Sequence, residues 1–221
     1  MNEPYTSLSL PGYSDQPATP RLATPEQTAA TVAAGRLEDC RVRFRAFLAD
    51  AFHVLEPGTA FRDSWYLGAV AETATAILSG QLPRAVITQP PGTLKSTTWC
   101  VAFPAWGWID FPQLRFLIGT HDMSNAGRDA GYCRKLVRSR WYQDGFKPKW
   151  GLSEDQDAKL FYQTTAGGHR LSVSTGGSTA GKKGHVLIVD DIHDAKKVYS
   201  KTQRDSDKEW FRLGFSDRMM N

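Results

Sequence analysis

The sequence predicts an α/β fold with a mainly parallel central sheet flanked by helices, and three observations carry that expectation. Residues 84–88 (Arg-Ala-Val-Ile-Thr) hold a short β-branched run that breaks at Pro90-Pro91-Gly92 and gives way to a helical start at Lys95-Ser96. Val186-Leu-Ile-Val189 is an unbroken apolar run ending in two carboxylates, Asp190 and Asp191. Such runs suit parallel strands covered on both faces. Around them lie segments whose apolar residues step by threes and fours, the period of an amphipathic helix.

A strand, a tight loop and a helix with Lys-Ser in its first turn is the layout of a phosphate-binding loop. Helix-start N–H groups point at the phosphates, and the helix dipole favours negative charge there. Pro91, Gly92, Thr93, Leu94, Lys95, Ser96 and Thr97 would line the nucleotide. Lys95 would reach the β- and γ-phosphates, and Ser96 would ligate Mg²⁺. The usual spacing G-x-x-x-x-G-K-[ST] puts glycine where this chain has Gln89 and Leu94. Leu94 is the sharper departure, because that position often needs a conformation that suits glycine. A surface turn containing Lys-Ser by chance is the alternative. The acidic strand supplies context: in nucleotide hydrolases its first carboxylate, here Asp190, supports the metal, and the next, here Asp191, orients and deprotonates the attacking water.

Composition sets wide bounds. The chain has 221 residues, 41% hydrophobic content and a formal charge of +4. That is enough for a real core, and it permits a polyanionic partner without demanding one. Three widely separated cysteines, Cys40, Cys100 and Cys133, lack metal-ligand spacing and fit a reducing compartment. No apolar run reaches membrane-span length, so no membrane partner is expected.

In chain order, residues 1–36 are expected to be a mobile arm, rich in Pro, Ser, Thr, Ala and Gly, within which Thr24-Pro25 suits a short helix start. Residues 37–221 are expected to form the domain. Helices are expected at 37–53 and 62–79, the second stopping at Gly80. For Phe61 and Trp65 two readings stand, a stacking surface for an adenine ring or packing into the core. Another helix should run from Lys95 to Pro104, a strand over 114–120 and a helix over 124–139. On that last helix Ala126, Ala130, Cys133 and Val137 share a stripe and Arg128 lies roughly opposite. Residues 140–158 read as an aromatic loop. Residues 159–164 and 169–175 read as a hairpin, and 176–184 as a glycine-rich loop with two lysines. A last helix is expected over 200–213.

Taken together, the pieces resemble the ATPase half of the large terminase subunit, the DNA-packaging motor of tailed bacteriophages. The likeness covers roughly residues 40–221 and rests on motifs in the family's order. These are Phe-His-Val-Leu-Glu-Pro-Gly-Thr (52–59), Pro-Pro-Gly-Thr-Leu-Lys-Ser (90–96), Phe-Pro-Ala-Trp (103–106) and Arg-Phe-Leu-Ile (115–118). Arg-Ser-Arg-Trp-Tyr (138–142), Asp-Gln-Asp-Ala-Lys (155–159), Gly-Gly-Ser-Thr-Ala-Gly (176–181) and Val-Asp-Asp-Ile-His (189–193) follow. One branch of that family has a Pro-Pro-Gly-x-x-Lys-Ser loop without the second glycine.

The resemblance implies a P-loop NTPase with an extra strand between the two nucleotide-motif strands and a helical N-terminal preface. It implies ATP and Mg²⁺ as cofactors, with Lys95 and Ser96 on phosphate and metal, Asp190 on metal and Asp191 catalytic. Arg128 is the position to test as an arginine finger acting in trans. The implied partners are double-stranded DNA, the portal protein, the small terminase subunit and further copies in a ring, in the cytoplasm of a bacterial host. The family continues into a coupling strand and a nuclease domain that these residues stop short of, so DNA cleavage is not expected here. Two other readings stay open: another P-loop DNA-dependent ATPase, such as a helicase or repair protein, and a non-catalytic terminase remnant.

Overall fold

Residues 24–194 and 196–220 are described in the computed structural model. The Thr24 hydroxyl accepts from the Gln27 N–H, and the Gln27 side chain accepts from the Thr24 N–H. This reciprocal cap satisfies two orphan donors and starts α1 (Pro25–Val42). The expected mobile arm is therefore helical over 25–36, and residues 1–23 of it lie outside the described residues. Arg43, with extended backbone (φ −118°, ψ 108°), separates α1 from α2 (Phe44–Leu55), so the single helix expected over 37–53 is two. Phe44, Phe47, Leu48, Ala51, Phe52 and Leu55 form the buried stripe of α2 at the expected spacing. Helix α3 (Trp65–Leu78) ends just before Gly80, whose φ of +76° turns the chain.

Residues 84–89 carry no regular secondary structure and pair with no strand among the described residues, and Val86 is 98% exposed. This corrects the expected buried strand there. β-branched residues favour extended backbone, but they cannot supply a neighbouring strand. With no strand at 84–89, the sheet of the described residues lacks the first motif strand beside which the expected extra strand would lie.

A helical turn begins at Lys95-Ser96 and widens into a π-helical run, Thr97–Ala102, where the Phe103 N–H reaches back to the Thr98 carbonyl. Helix α4 (Phe103–Asp110) follows without a break, so Pro104 does not end the helix as expected. The wider turn accommodates the ring, and Pro104 has no N–H to offer the Cys100 carbonyl. That carbonyl accepts instead from Arg170 Nε at 3.1 Å.

The remaining elements are β1 (Arg115–Thr120), α5 (Met123–Arg138), α6 (Arg140–Phe146), β2 (Leu152–Asp157), β3 (Phe161–Thr164), β4 (His169–Ser174), β5 (Val186–Val189) and α7 (Lys201–Glu209). Seven α-helices thus accompany one five-stranded sheet of order β2-β3-β4-β1-β5 among the described residues. β1 runs parallel to both β4 and β5, whereas β2-β3 and β3-β4 are antiparallel. The sheet is therefore mixed rather than mainly parallel. The surplus antiparallel strand, β2, and helix α6 both come from the stretch read as an aromatic loop. The hairpin β3-β4 forms as expected; its turn brings Gly168 so close to the Pro112 carbonyl oxygen that a Cβ would sit 2.2 Å away.

Successive residues of β1 serve opposite faces. Phe116 enters the large aromatic core with Phe44, Phe47, Trp106, Trp108, Tyr142 and Tyr162. Leu117 packs on the other face with Val173 and Phe215. Gly119 shares that second face, where a Cβ would meet the Trp210 ring at 2.8 Å. Trp210–Phe215 is a second π-helical run that prolongs α7 across this face. β5, expected to be central and buried, is instead at the sheet edge, half-buried, with Val189 36% exposed. Met219 forms a parallel bridge to Gly184, at the start of its outer side. No described helix is long and apolar enough to cross a membrane.

Candidate active site

β1 and β5 are parallel and in register, Gly119 opposite Val189, so their C-terminal ends emerge side by side. The carboxyl ends of parallel strands are where open α/β sheets gather ligand-binding residues. Thr120 and His121 leave β1 there, and Asp190 and Asp191 leave β5. The helix that begins at Lys95 meets them from the far end of the 90–94 loop.

Lys95 Nζ lies 2.6 Å from Asp191 Oδ1 and 3.0 Å from Asp190 Oδ1. The Ser96 hydroxyl donates to Asp190 Oδ2 at 2.5 Å. The four residues that the sequence singled out for phosphate, metal and catalysis, 94 to 96 positions apart, thus share one cluster. Burial alone would lower the Lys95 pKa, but the Asp191 and Asp190 carboxylates outweigh it and raise the ammonium above its ordinary range.

Leu94 adopts φ +63°, the left-handed conformation that made glycine the expected residue there. Gly92, with φ +78°, supplies the other left-handed turn of the loop. Thr93 Oγ1 donates to the Pro90 carbonyl at 2.6 Å and closes the loop on itself. Tyr66 Oη, at 3.4 Å, donates to the Thr93 carbonyl and ties the loop to α3. Gln89, standing where the usual motif has glycine, reaches the same carbonyl at 3.5 Å. Pro91 is exposed, and Thr97 sits half-buried at the head of the π-helical run.

Trp65, at the start of α3, is 87% exposed and stands edge-on to Tyr66, the residue that touches the loop. It therefore offers an open aromatic face beside the residue that touches the loop. Phe61 packs half-buried against Phe52 with ring centroids 5.6 Å apart, which is the core alternative.

Behind Asp190 lies a pocket lined by Ser96, Cys100, His121, Asn125, Arg128, Asp129, Arg170 and Asp191, among others. Arg128 donates from Nε and Nη2 to Asp129 Oδ1, at 3.0 and 2.9 Å, inside its own chain. Burial raises the Asp129 pKa, and the Arg128 guanidinium opposes that rise without cancelling it. Arg170 is fully buried and donates from Nη1 to Ser172 Oγ.

Sequence reading did not single out His121, Asp129 or Arg170. A signal existed for His121, the first residue past a strand whose parallel partner carries the carboxylates. For Arg170 there was none, because an arginine inside a hairpin strand reads as solvent-facing until a neighbouring carbonyl is known to need it.

Two donor sets for a cation are present. Ser96 Oγ and Asp190 are hard oxygens in contact, the type that Mg²⁺ takes. Cys100 Sγ, Asp129 and Asp190 also converge within 4.8 Å. Burial, followed by the Asp190 charge, pushes the Cys100 thiol well above its ordinary range, and its sulfur is a soft donor that suits Mg²⁺ poorly. The Ser96–Asp190 pair fits the hard cation better. Comparison with known proteins found no family model and no curated protein that matches the chain.

Proposed function

We propose that this chain is the ATPase segment of a viral DNA-packaging motor, hydrolysing ATP to drive double-stranded DNA into a procapsid. The observation that carries the nucleotide part is the Lys95 ammonium held by Asp190 and Asp191 with the Ser96 hydroxyl on Asp190. In this reading the fold is that of a P-loop NTPase. The γ-phosphate takes over the Lys95 ammonium from the two carboxylates, and the 92–97 backbone cradles the phosphate chain. Asp191, 64% exposed at its side chain, is free to accept the proton of the attacking water once Lys95 has moved to the phosphate. Ser96 and Asp190 would hold Mg²⁺, which supplies charge neutralisation at the β- and γ-phosphates. Trp65 offers its open face to the adenine. Arg128 borders the same pocket and is the candidate stabiliser of transition-state charge, for its own site or a neighbour's.

The packaging part rests on the ordered terminase-like motifs. Double-stranded DNA, portal protein, small terminase subunit, a ring of copies and a bacterial host cytoplasm belong to that reading. A second reading, a non-catalytic remnant, is favoured by one observation: the 84–89 segment that should anchor the loop is unpaired and largely exposed, with Val86 98% accessible.

Steady-state hydrolysis separates them. Wild type should turn over ATP only with Mg²⁺, and Lys95→Ala and Asp191→Asn should each lose about a hundredfold or more, the scale of a missing acid–base group. Equal rates in all three proteins would leave only the non-catalytic reading.

A further inference from the structure

Asp191 has φ +48°, a left-handed backbone that a residue with a Cβ rarely keeps unless its surroundings hold it. Its carbonyl oxygen accepts two hydrogen bonds from His121, one from the main-chain N–H at 3.1 Å and one from ring Nδ1. A carbonyl only accepts, so Nδ1 carries the hydrogen and the tautomer is set. Farther along, Thr175 Oγ1 donates to the Ile192 carbonyl at 3.2 Å, and His193 Nδ1 pairs with Asp207 at 2.7 Å. The loop after β5 is thus tied to the ends of β1 and β4 and to α7. Among the described residues, only the His121 ties fall on the Asp191 main chain.

The same residue carries, on its side chain, the carboxylate that reaches Lys95 at 2.6 Å. Relaxation of residue 191 to right-handed or extended backbone would swing its Cβ, and with it the carboxylate, away from the ammonium. The geometry points to His121 as a positioning residue for ATP hydrolysis. Its ring N–H clamps the Asp191 peptide in the left-handed state and so keeps the carboxylate aimed at the phosphate side of the site. This rests on the ATPase reading above, with Asp191 as the group that handles the attacking water.

The test compares His121→Ala, His121→Phe and His121→Asn with wild type, measuring kcat, KM and the affinity of a slowly hydrolysed ATP analogue with Mg²⁺. Asparagine places an N–H on the same carbon that bears Nδ1 in histidine, whereas phenylalanine keeps the ring and removes the donor. Losing one such bond should lower kcat by roughly five- to tenfold in the Ala and Phe variants, with analogue affinity held within about twofold. The Asn variant should stay within about twofold of wild type. In an Asp191→Asn background the Ala substitution should have little further effect on the residual rate. An Ala variant with wild-type kcat overturns the clamp, as does an Asn variant as slow as Ala, or a loss confined to affinity. A wild-type protein without turnover removes the ATPase reading itself and this role with it, an outcome distinct from an active wild type indifferent to residue 121.

Discussion

Asp191→Asn should do two opposite things: abolish turnover and tighten ATP binding. Before nucleotide arrives, Lys95 is engaged by both carboxylates, at 2.6 and 3.0 Å. In the proposed reaction ATP detaches the ammonium from Asp191, and its γ-phosphate then sits near a residual negative charge. The Asp191 side chain is 64% exposed and that of Lys95 28%, so water screens the pair heavily. Exposed pairs of this kind are worth about 0.2–1 kcal/mol. Repulsion between the carboxylate and a nearby phosphate oxygen in water adds a comparable ~1 kcal/mol at contact distances and less farther out. A total of about 1–2 kcal/mol corresponds to about a five- to thirtyfold lower Kd in the isosteric Asn variant. Equilibrium titration of a fluorescent ATP analogue with Mg²⁺, beside a turnover assay on the same protein, measures both effects. Lys95→Ala should weaken binding in that titration. A folded Asp191→Asn protein that binds as wild type does, or more weakly, would refute the view that Asp191 competes with the triphosphate for Lys95.

Leu94→Gly should retain turnover, because glycine tolerates φ +63°, whereas Leu94→Val should cost about tenfold in turnover, since a β-branched residue resists that backbone; a fully active Val variant would contradict this. Burial first, then the Arg115 charge, pulls His169 down to about 4, so the folded protein keeps this ring neutral where the unfolded chain protonates it near 6.5. Stability should therefore fall as pH drops from about 6.5 to about 4, by no more than ~1.4 kcal/mol per pH unit from this residue, and level off below. Urea midpoints should show a shallower fall in His169→Gln, with His185, lowered by burial and Arg115, supplying part of what remains. Arg128→Ala should lower kcat at least tenfold and leave nucleotide affinity within about twofold. An unchanged kcat would remove Arg128 from the reaction, and rescue on mixing with Asp191→Asn subunits would show that it serves a neighbouring site.

Helices α2 and α3 and the hairpin were legible because each is specified locally. α2 announces itself by apolar residues at threes and fours, α3 by Gly80 at its end, and the β3-β4 turn by Ala166-Gly167-Gly168. The grouping of Lys95, Ser96, Asp190 and Asp191 was legible for another reason: the two pairs are chemically unusual, one where a loop opens a helix and the other just past a strand. Apart from α1 and α6, what failed depends on a partner distant in sequence. Ala85-Val86-Ile87 has the composition of a buried strand, yet burial needs a neighbour, and Val86 is almost fully exposed. Val186–Val189 reads as central and lies at an edge for the same reason. Pro104 reads as a helix stop only if the preceding turn is α-helical; the π-helical widening at Thr97–Ala102 and the Arg170 donor cancel that signal. His121 and Asp129 escaped notice because their roles are set by what they touch, an Asp191 carbonyl and an Arg128 guanidinium.

The proposed convergence of Lys95, Ser96, Asp190 and Asp191 on one magnesium-bound triphosphate is tested directly by a structure with Mg²⁺ and a non-hydrolysable ATP analogue. Lys95 Nζ should have left Asp191 for the β- and γ-phosphate oxygens, with Ser96 Oγ on the metal, Asp190 beside it and the Asp191 carboxylate facing the γ-phosphate. An analogue bound elsewhere, or a Lys95 ammonium still seated between the two carboxylates with the nucleotide in place, would contradict the account.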